Sequence, residues 1–286
     1  MKLHPIKTVT SINGKLVSHR EARISVFDNS LLYAEGLFET LLACDDRVLF
    51  LDEHLDRLYK GAKVIDLAPP VSRVTLARWM KTTLRAHPSR IKRLRLTVTS
   101  GEAAKWVGRQ GKSQVIMTVA PHDVPTSPFR LQVSEFRVDQ NSEFRRIKTL
   151  SYAIHAAAFK RAWQQGYDDA LLLNEKGLVA EVTTSNIFWR HGSKVYTPPL
   201  TAGCLEGVTR SIVLRGAGKH GVKIIERTEP LSRLIEADEI FITSSLKLAL
   251  GVAEIAHGRK RYRYQTGEIT RHLSAWLSHV AGIEQP

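Results

Sequence analysis

Residues 168–197 read DDALLLNEKGLVAEVTTSNIFWRHGSKVYT. Two apolar runs, DALLLN and LVAEVT, are separated only by Glu175, Lys176 and Gly177. A connection that short joins antiparallel strands, because a parallel partner needs a crossover of about a dozen residues or more. NIFWR and KVYTPP repeat the pattern around His191-Gly192-Ser193, so the spacing predicts two hairpins in succession.

The flanking sequence extends this reading in both directions. FRLQVSEFRV (129–138) has strand character, and YAIHAAAFKRAWQQG (152–166) is helical and stops at Gly166. Further on come a helix in VTRSIVLRGAGKHG, a strand in VKIIERT and a short helix in LSRLIEA. A strand in DEIFITSS and a closing helix in GEITRHLSAWLSHVAGI complete the chain. Towards the N-terminus, Asn13-Gly14 turns KTVTSI into KLVS, and Asp45-Asp46 turns FETLLAC into RVLFL. DEHLDRLYKGAKVIDL follows as a helix that Asp52 can cap, with Leu55, Leu58, Ala62 and Ile65 on one face and His54 and Arg57 together on another. VSRVTLARWMKTTLRA is a second helix, and RLRLTVTS and SQVIMTVAP are strands around a polar loop. The fold class expected is mixed α/β (α+β), dominated by hairpins rather than by βαβ units, which argues against a doubly wound nucleotide fold. PHDVPTSP (121–128), with three prolines, is the expected linker between a small domain at 1–120 and a larger one at 129–286.

A chain of 286 residues can bury a substantial core, and 43% hydrophobic with 24% charged residues is ordinary for a globular protein. The N-terminus has neither the apolar run nor the cleavage site of a secretory signal, and no membrane-spanning run occurs. Two distant cysteines make neither a disulfide framework nor a metal spacing, which suits a reducing cytoplasm. The net charge of +14 raises nucleic acid as a partner. The cations are scattered, however, except in GRKRYRYQ (258–265), so a basic solvated surface is the preferred reading.

Four places carry chemistry. Lys148 stands at a junction before an apolar helix, beside Arg145 and Arg146. It reads either as a lysine reaching to water or as a Schiff-base lysine whose amine those arginines would make nucleophilic. Glu181 lies among apolar strand residues, where a carboxylate needs a donor such as a protonated pyridine nitrogen, or else faces solvent. Gly203 and Gly207 precede a helix with Val208 and Thr209 in its first turn, a phosphate cradle or an ordinary helix start. Thr243, Ser244 and Ser245 end a strand with hydroxyls, and Arg57 could grip the same phosphate. Taken together they fit one ligand, pyridoxal phosphate, which offers an aldehyde, a pyridine and a phosphate.

YAEGLFET, LDEHLDRL, IKTLSY, DDALLLNEKGLVAEVTTSNIFW and GVTR resemble the fold-type IV pyridoxal-phosphate enzymes, the class IV aminotransferases, and the likeness spans nearly the whole chain. The resemblance implies a small N-terminal α/β domain, a larger C-terminal one and a homodimer that acts on small amines and keto acids. It implies that Lys148 is the Schiff-base lysine and proton carrier and that Glu181 pairs with the pyridine nitrogen. It implies phosphate contacts from Arg57, Val208, Thr209, Ser244 and Ser245, and a cofactor contact from Tyr152. Thr40 matches a threonine that helps proton transfer in the family's aminodeoxychorismate lyases. Phe38, with Lys105, Trp106 and Arg109 of the loop TSGEAAKWVGRQGK (99–112), is expected to select the substrate. The reaction expected is transamination from an amino acid or an R-configured amine to a 2-keto acid, with the lyase forming 4-aminobenzoate and pyruvate as the alternative. A basic nucleic-acid-binding protein is a third, more distant reading.

Overall fold

The computed structural model describes residues 8–68, 71–102 and 111–283. The chain divides into two compact units, one of Met1–Asp123 with Ile147–Ser151, the other of Val124–Arg146 with Tyr152–Pro286. The boundary near residue 123 falls in the proline-rich stretch 121–128, but the short segment carrying Lys148 joins the first unit, where the sequence reading had placed it in the second.

The first unit runs β1 (Val9–Ile12), β2 (Lys15–Val17), α1 (Asn29–Leu32), β3 (Gly36–Cys44), β4 (Arg47–Val48), α2 (Leu51–Val64), α3 (Arg73–Arg85), β5 (Ile91–Thr99) and β6 (Val115–Pro121). Its strands form one six-stranded antiparallel sheet in the order β2-β1-β6-β5-β3-β4. Alternation along β3 and β5 sends Leu37, Leu41, Ala43, Leu94, Leu96 and Val98 to one face. There they pack with Leu55, Leu58 and Ala62 of α2 and Leu76, Met80 and Leu84 of α3. Each such leucine contributes about 2 kcal/mol by leaving water.

Asp52 is not the cap of α2. The helix begins one residue earlier, and its N-cap is Phe50, held in the left-handed region at φ 53° with no side-chain cap. Asp52 and Glu53 instead lie in the first turn, where their charge favours the positive end of the helix. The expected strand RVLFL is accordingly cut to Arg47–Val48. Because β4 pairs only with Ala43 and Cys44, the Gly36 end of β3 keeps an open edge, and residues 148–150 occupy it. Phe38 N–H donates to the Lys148 carbonyl at 2.9 Å and Leu150 N–H to the Gly36 carbonyl at 2.9 Å.

The second unit runs β7 (Phe129–Val138), α4 (Ala153–Gln164), β8 (Asp169–Asn174), β9 (Val179–Val182), β10 (Asn186–His191), β11 (Lys194–Thr197), α5 (Val208–Gly216), β12 (Lys223–Glu226), α6 (Leu231–Ile235), β13 (Glu239–Ser244), β14 (Leu248–His257), β15 (Lys260–Arg263) and α7 (Glu268–Ala281). A nine-stranded mixed sheet orders them β12-β11-β10-β13-β14-β7-β8-β9, with β15 paired to β14. The two hairpins expected from 168–197 are β8–β9 and β10–β11. All six residues of DALLLN are buried because both faces of β8 are covered. Leu171 and Leu173 join one apolar cluster with Val252 and Ile255, and Ala170 and Leu172 join another with Ala158 and Ala162 of α4.

Two features were not read from the sequence. LALGVAEIAH and KRYR form the β14–β15 hairpin, so the basic run 258–265 is a turn and strand, with Arg261 and Arg263 flanking Glu254 at 3.9 and 3.5 Å. Gly216, Gly218 and Gly221 have the spacing of a dinucleotide-binding loop. They end α5 and lead into a strand, whereas that loop must open a helix, so they carry no such site.

Candidate functional site

In the first unit the sheet face opposite the helices displays Phe38 and Thr40 from β3, with Thr97 and Arg95 opposite them on β5. The Lys148 amine lies 4.4 Å from the centre of the Phe38 ring and the Arg95 guanidinium 3.9 Å from it. A lysine amine, an arginine and a buried aromatic wall therefore meet at one point of this face. Arg95 was not among the expected residues. Its signal was the alternation RLRLT, in which a charged residue recurs on one side of a central strand.

Arg57 points to the helix-covered side. Its Nε donates to Glu39 Oε1 at 2.8 Å and its Nη2 to Glu39 Oε2 at 2.6 Å, a bidentate pair. His54 is fully buried, with Nδ1 2.7 Å from the same Glu39 Oε2. Burial pushes the Glu39 carboxyl up, but Arg57 and His54 outweigh it and hold it down at about 2. An ionised carboxylate only accepts, so Nδ1 of His54 carries the hydrogen. The reading of the sequence placed His54 beside Arg57 and missed the carboxylate that ties them.

In the second unit Glu181 sits on β9, buried. Its Oε1 accepts from Arg145 Nη2 and lies 3.2 Å from His155 Nε2, and its Oε2 accepts from the Leu205 N–H at 2.8 Å. Burial raises its pKa, yet the His155 contact and the Arg145 charge more than offset this and keep it below the usual carboxylate range. It is thus an ionised, buried acceptor rather than a solvent-facing strand end. Arg145 is committed to this carboxylate and, through Nε, to the Gly203 carbonyl at 3.0 Å. Its charge is thus paired with Glu181. Tyr152, expected to reach the cofactor, donates its hydroxyl to the Thr183 carbonyl and stacks on His155 with ring centres 4.4 Å apart.

Leu205 links Glu181 to the start of α5. Its carbonyl accepts from Asn186 Nδ2 at 2.9 Å, and the next turn opens α5 with Gly207 as a cap that offers no side chain. Val208 and Thr209 follow in the first turn, so their N–H groups lie outside the helical ladder. Thr209 Oγ1 is buried with no hydrogen-bond partner, and Thr243 Oγ1 is in the same condition at the end of β13. Asn186 pairs in register with Thr243, which sets the Ser244-Ser245 turn beside the Asn186 strand. Ser244 Oγ accepts the Lys247 N–H at 3.3 Å. Lys247 Nζ donates to Thr184 Oγ1 at 2.7 Å and to Ser185 Oγ at 3.3 Å, fastening this turn to the one between β9 and β10. Lys105, Trp106 and Arg109 lie outside the described residues.

Orphaned hydroxyls at a helix N-terminus and at a strand end, a cap with no Cβ and an ionised buried carboxylate fit pyridoxal phosphate. Val208, Thr209, Ser244 and Ser245 could hold the phosphate, and Glu181 could hold a proton on the ring nitrogen.

Residues 36–255 match the family described as amino-transferase class IV. The chain belongs to the class IV aminotransferases. These enzymes work through pyridoxal phosphate, and the α/β architecture described above is theirs. A Methanocaldococcus jannaschii protein provisionally named a branched-chain-amino-acid aminotransferase is 34% identical over 92% of each chain. The Bacillus subtilis aminodeoxychorismate lyase is 29% identical, covering 92% of this chain and 91% of its own. Among solved structures, the branched-chain aminotransferase of Thermoproteus uzoniensis with norvaline superposes at a TM-score of 0.88. It is 28% identical and covers 97% of this chain and 96% of its own.

Proposed function

We propose that this class IV aminotransferase moves the amino group of a branched-chain amino acid onto a 2-keto acid. The observation that carries the reading is the meeting at Phe38 of the Lys148 amine, the Arg95 guanidinium and an apolar ring. These are the groups needed to accept an amine, hold a carboxylate and seat an apolar side chain. The similarity to branched-chain aminotransferases along almost the whole chain supports the same reading. Within the amino-acid or R-amine donors expected from the sequence, it selects a branched-chain amino acid.

In this reading pyridoxal phosphate, when bound, supplies a ring that accepts electrons from the carbon bearing the amine. Lys148 carries the proton to and from that carbon, with Thr40 as a hydroxyl on the same face. Glu181 keeps the ring nitrogen protonated. Val208, Thr209, Ser244 and Ser245 anchor the phosphate, and Arg57 keeps the phosphate role implied by the resemblance. Tyr152 acts by holding the His155 and Thr183 region rather than by reaching the cofactor directly. Phe38 lines the substrate side chain.

The lyase is the second reading, supported by Thr40 and by the Bacillus subtilis relative. A homodimer is proposed as well. Val26, Phe27, Leu31, Leu32 and Tyr33 are all exposed within one short stretch, which a second copy would cover. Mass photometry should then give twice the chain mass of 32.1 kDa.

The deciding experiment adds L-leucine, L-glutamate, D-alanine and R-1-phenylethylamine singly to the cofactor-loaded protein without a keto acid. Loss of the visible band with L-leucine, absent in Lys148→Ala, is the expected result. A band that survives every donor, with aminodeoxychorismate converted to 4-aminobenzoate, would establish the lyase instead.

A further inference from the structure

His155 Nε2 lies 3.2 Å from Glu181 Oε1 and 3.1 Å from Arg145 Nη1. A carboxylate only accepts hydrogen bonds and a guanidinium only donates them. One ring nitrogen cannot serve both. With its hydrogen on Nε2 the ring donates to Glu181 and turns that hydrogen against the Arg145 N–H. With the hydrogen on Nδ1, Nε2 accepts from Arg145 and no longer donates to Glu181. The ring itself has little freedom to turn away. It is buried in the first turn of α4 and stacked on Tyr152 with the planes 18° apart, and the Tyr152 hydroxyl is pinned to the Thr183 carbonyl. Arg145 is fixed independently by Gly203, and Glu181 by Leu205. The two arrangements therefore differ by the place of one hydrogen, with no heavy atom moved and no charge changed.

We propose that His155 is a positioning residue that donates from Nε2 to Glu181 while the carboxylate lacks its cofactor partner and releases it when the pyridine N–H arrives, the neutral ring giving its Nε2 proton to solvent and taking one from solvent at Nδ1. A buried carboxylate is costly to leave short of donors. Arg145 and Leu205 supply two in either state, and His155 and the pyridine nitrogen alternate as the third. The carboxylate thus stays ionised and oriented before the cofactor binds, and no donor has to be expelled when it does. His155 was not among the residues picked from the sequence. It lies seven residues beyond Lys148 and is recognisable only once α4 and β9 are side by side. The inference rests on the proposed pairing of Glu181 with the cofactor nitrogen.

Histidine-labelled protein would be examined by nitrogen-15 NMR with and without pyridoxal phosphate, together with Glu181→Gln, His155→Phe and His155→Gln. The expected result is an Nε2–H form in the unloaded protein and an Nδ1–H form in the loaded one, with no conversion in Glu181→Gln. His155→Phe keeps the stacking on Tyr152 but loses both bonds; because it removes a charged hydrogen bond that Glu181 uses only in the unloaded protein, it should lower the thermal midpoint of the unloaded protein and tighten cofactor binding by up to about tenfold. His155→Gln, whose amide can present either N–H or oxygen, should bring both back towards wild type. The same tautomer in both states overturns the proposal, whatever the variants do. Failure of the underlying reading looks different. In that case the pyridine nitrogen of labelled cofactor would give the same chemical shift bound to wild type and to Glu181→Gln.

Discussion

Glu39 is buried, and two hydrogen-bond donors, the Arg57 guanidinium and the His54 ring, converge on its two oxygens. A buried charge stripped of one partner is far more costly than the intact pair is beneficial. Glu39→Gln keeps the shape and removes the charge, leaving Arg57 buried opposite an amide. The expected cost is about 3 kcal/mol, read as a loss of several degrees in the thermal midpoint. Cofactor affinity should fall as well if Arg57 serves the phosphate, whereas Glu39→Asp should recover part of both. The sequence displayed Lys148 ahead of an apolar helix face and Glu181 among apolar strand residues, and it offered Thr209 and Arg57 as phosphate ligands. It did not display Glu39, Arg95, Arg145 in its pairing, or His155. Each of these acquires meaning from a partner on another element, as Glu39 does from Arg57 on α2 and His155 from Glu181 on β9. Spacing along the chain carries no trace of such a pair unless both ends lie on one helix or in one turn.

Elements were easier to read than partners, because a hairpin or an amphipathic helix is encoded within its own length. The turns at Asn13-Gly14 and Asp45-Asp46 and the segment 168–197 show this. β14 escaped notice because LALGVAEIAH lacks a clean alternation, its first five residues all being buried, and it pairs along its edges with β13, β7 and β15. The start of α2 was misplaced because a left-handed Phe50 is not what a cap usually looks like. The start of α5 offers a sharper test. A Cβ on Gly207 would lie 1.9 Å from Asn186 Oδ1, the side chain whose amide holds Leu205. Gly207→Ala must therefore displace either the Asn186 side chain, and with it the hold on Leu205, or the α5 N-terminus. Phosphate affinity should drop at least tenfold in a competition assay with inorganic phosphate, with thermal stability lowered by only about 1–2 kcal/mol. Pairing it with Asn186→Ala, which removes the obstructing oxygen, should restore part of the affinity. If the single variant binds as tightly as wild type, the turn is not the phosphate cradle.

At the scale of the molecule, acid acts on these buried groups in one direction. Glu39 has its pKa lowered from 4.5 to about 2, so its contribution is fully present above 4.5 and is lost as pH falls towards 2. That shift corresponds to on the order of 3 kcal/mol. Glu181 is lowered too and acts with the same sign. For His54, burial outweighs Glu39 and lowers the pKa. The unfolded chain therefore takes up this proton first, and stability begins to decline below 6.5. A general effect is superposed on these. The chain already carries +14, and protonating its 28 carboxylates removes the negative charges that offset 42 cations, so self-repulsion grows in acid whatever the buried groups do. A falling midpoint alone would not separate the two causes. The comparison that does is urea unfolding from pH 8 to pH 3 in wild type and in Glu39→Gln. The general repulsion is common to both proteins, whereas the variant has no carboxylate at residue 39 to protonate. The gap between the two curves should be widest above pH 5 and close progressively below it. Curves that stay parallel down to pH 3 would mean that the Glu39 carboxyl is not held low by Arg57 and His54, and the acid sensitivity would then belong to the surface alone.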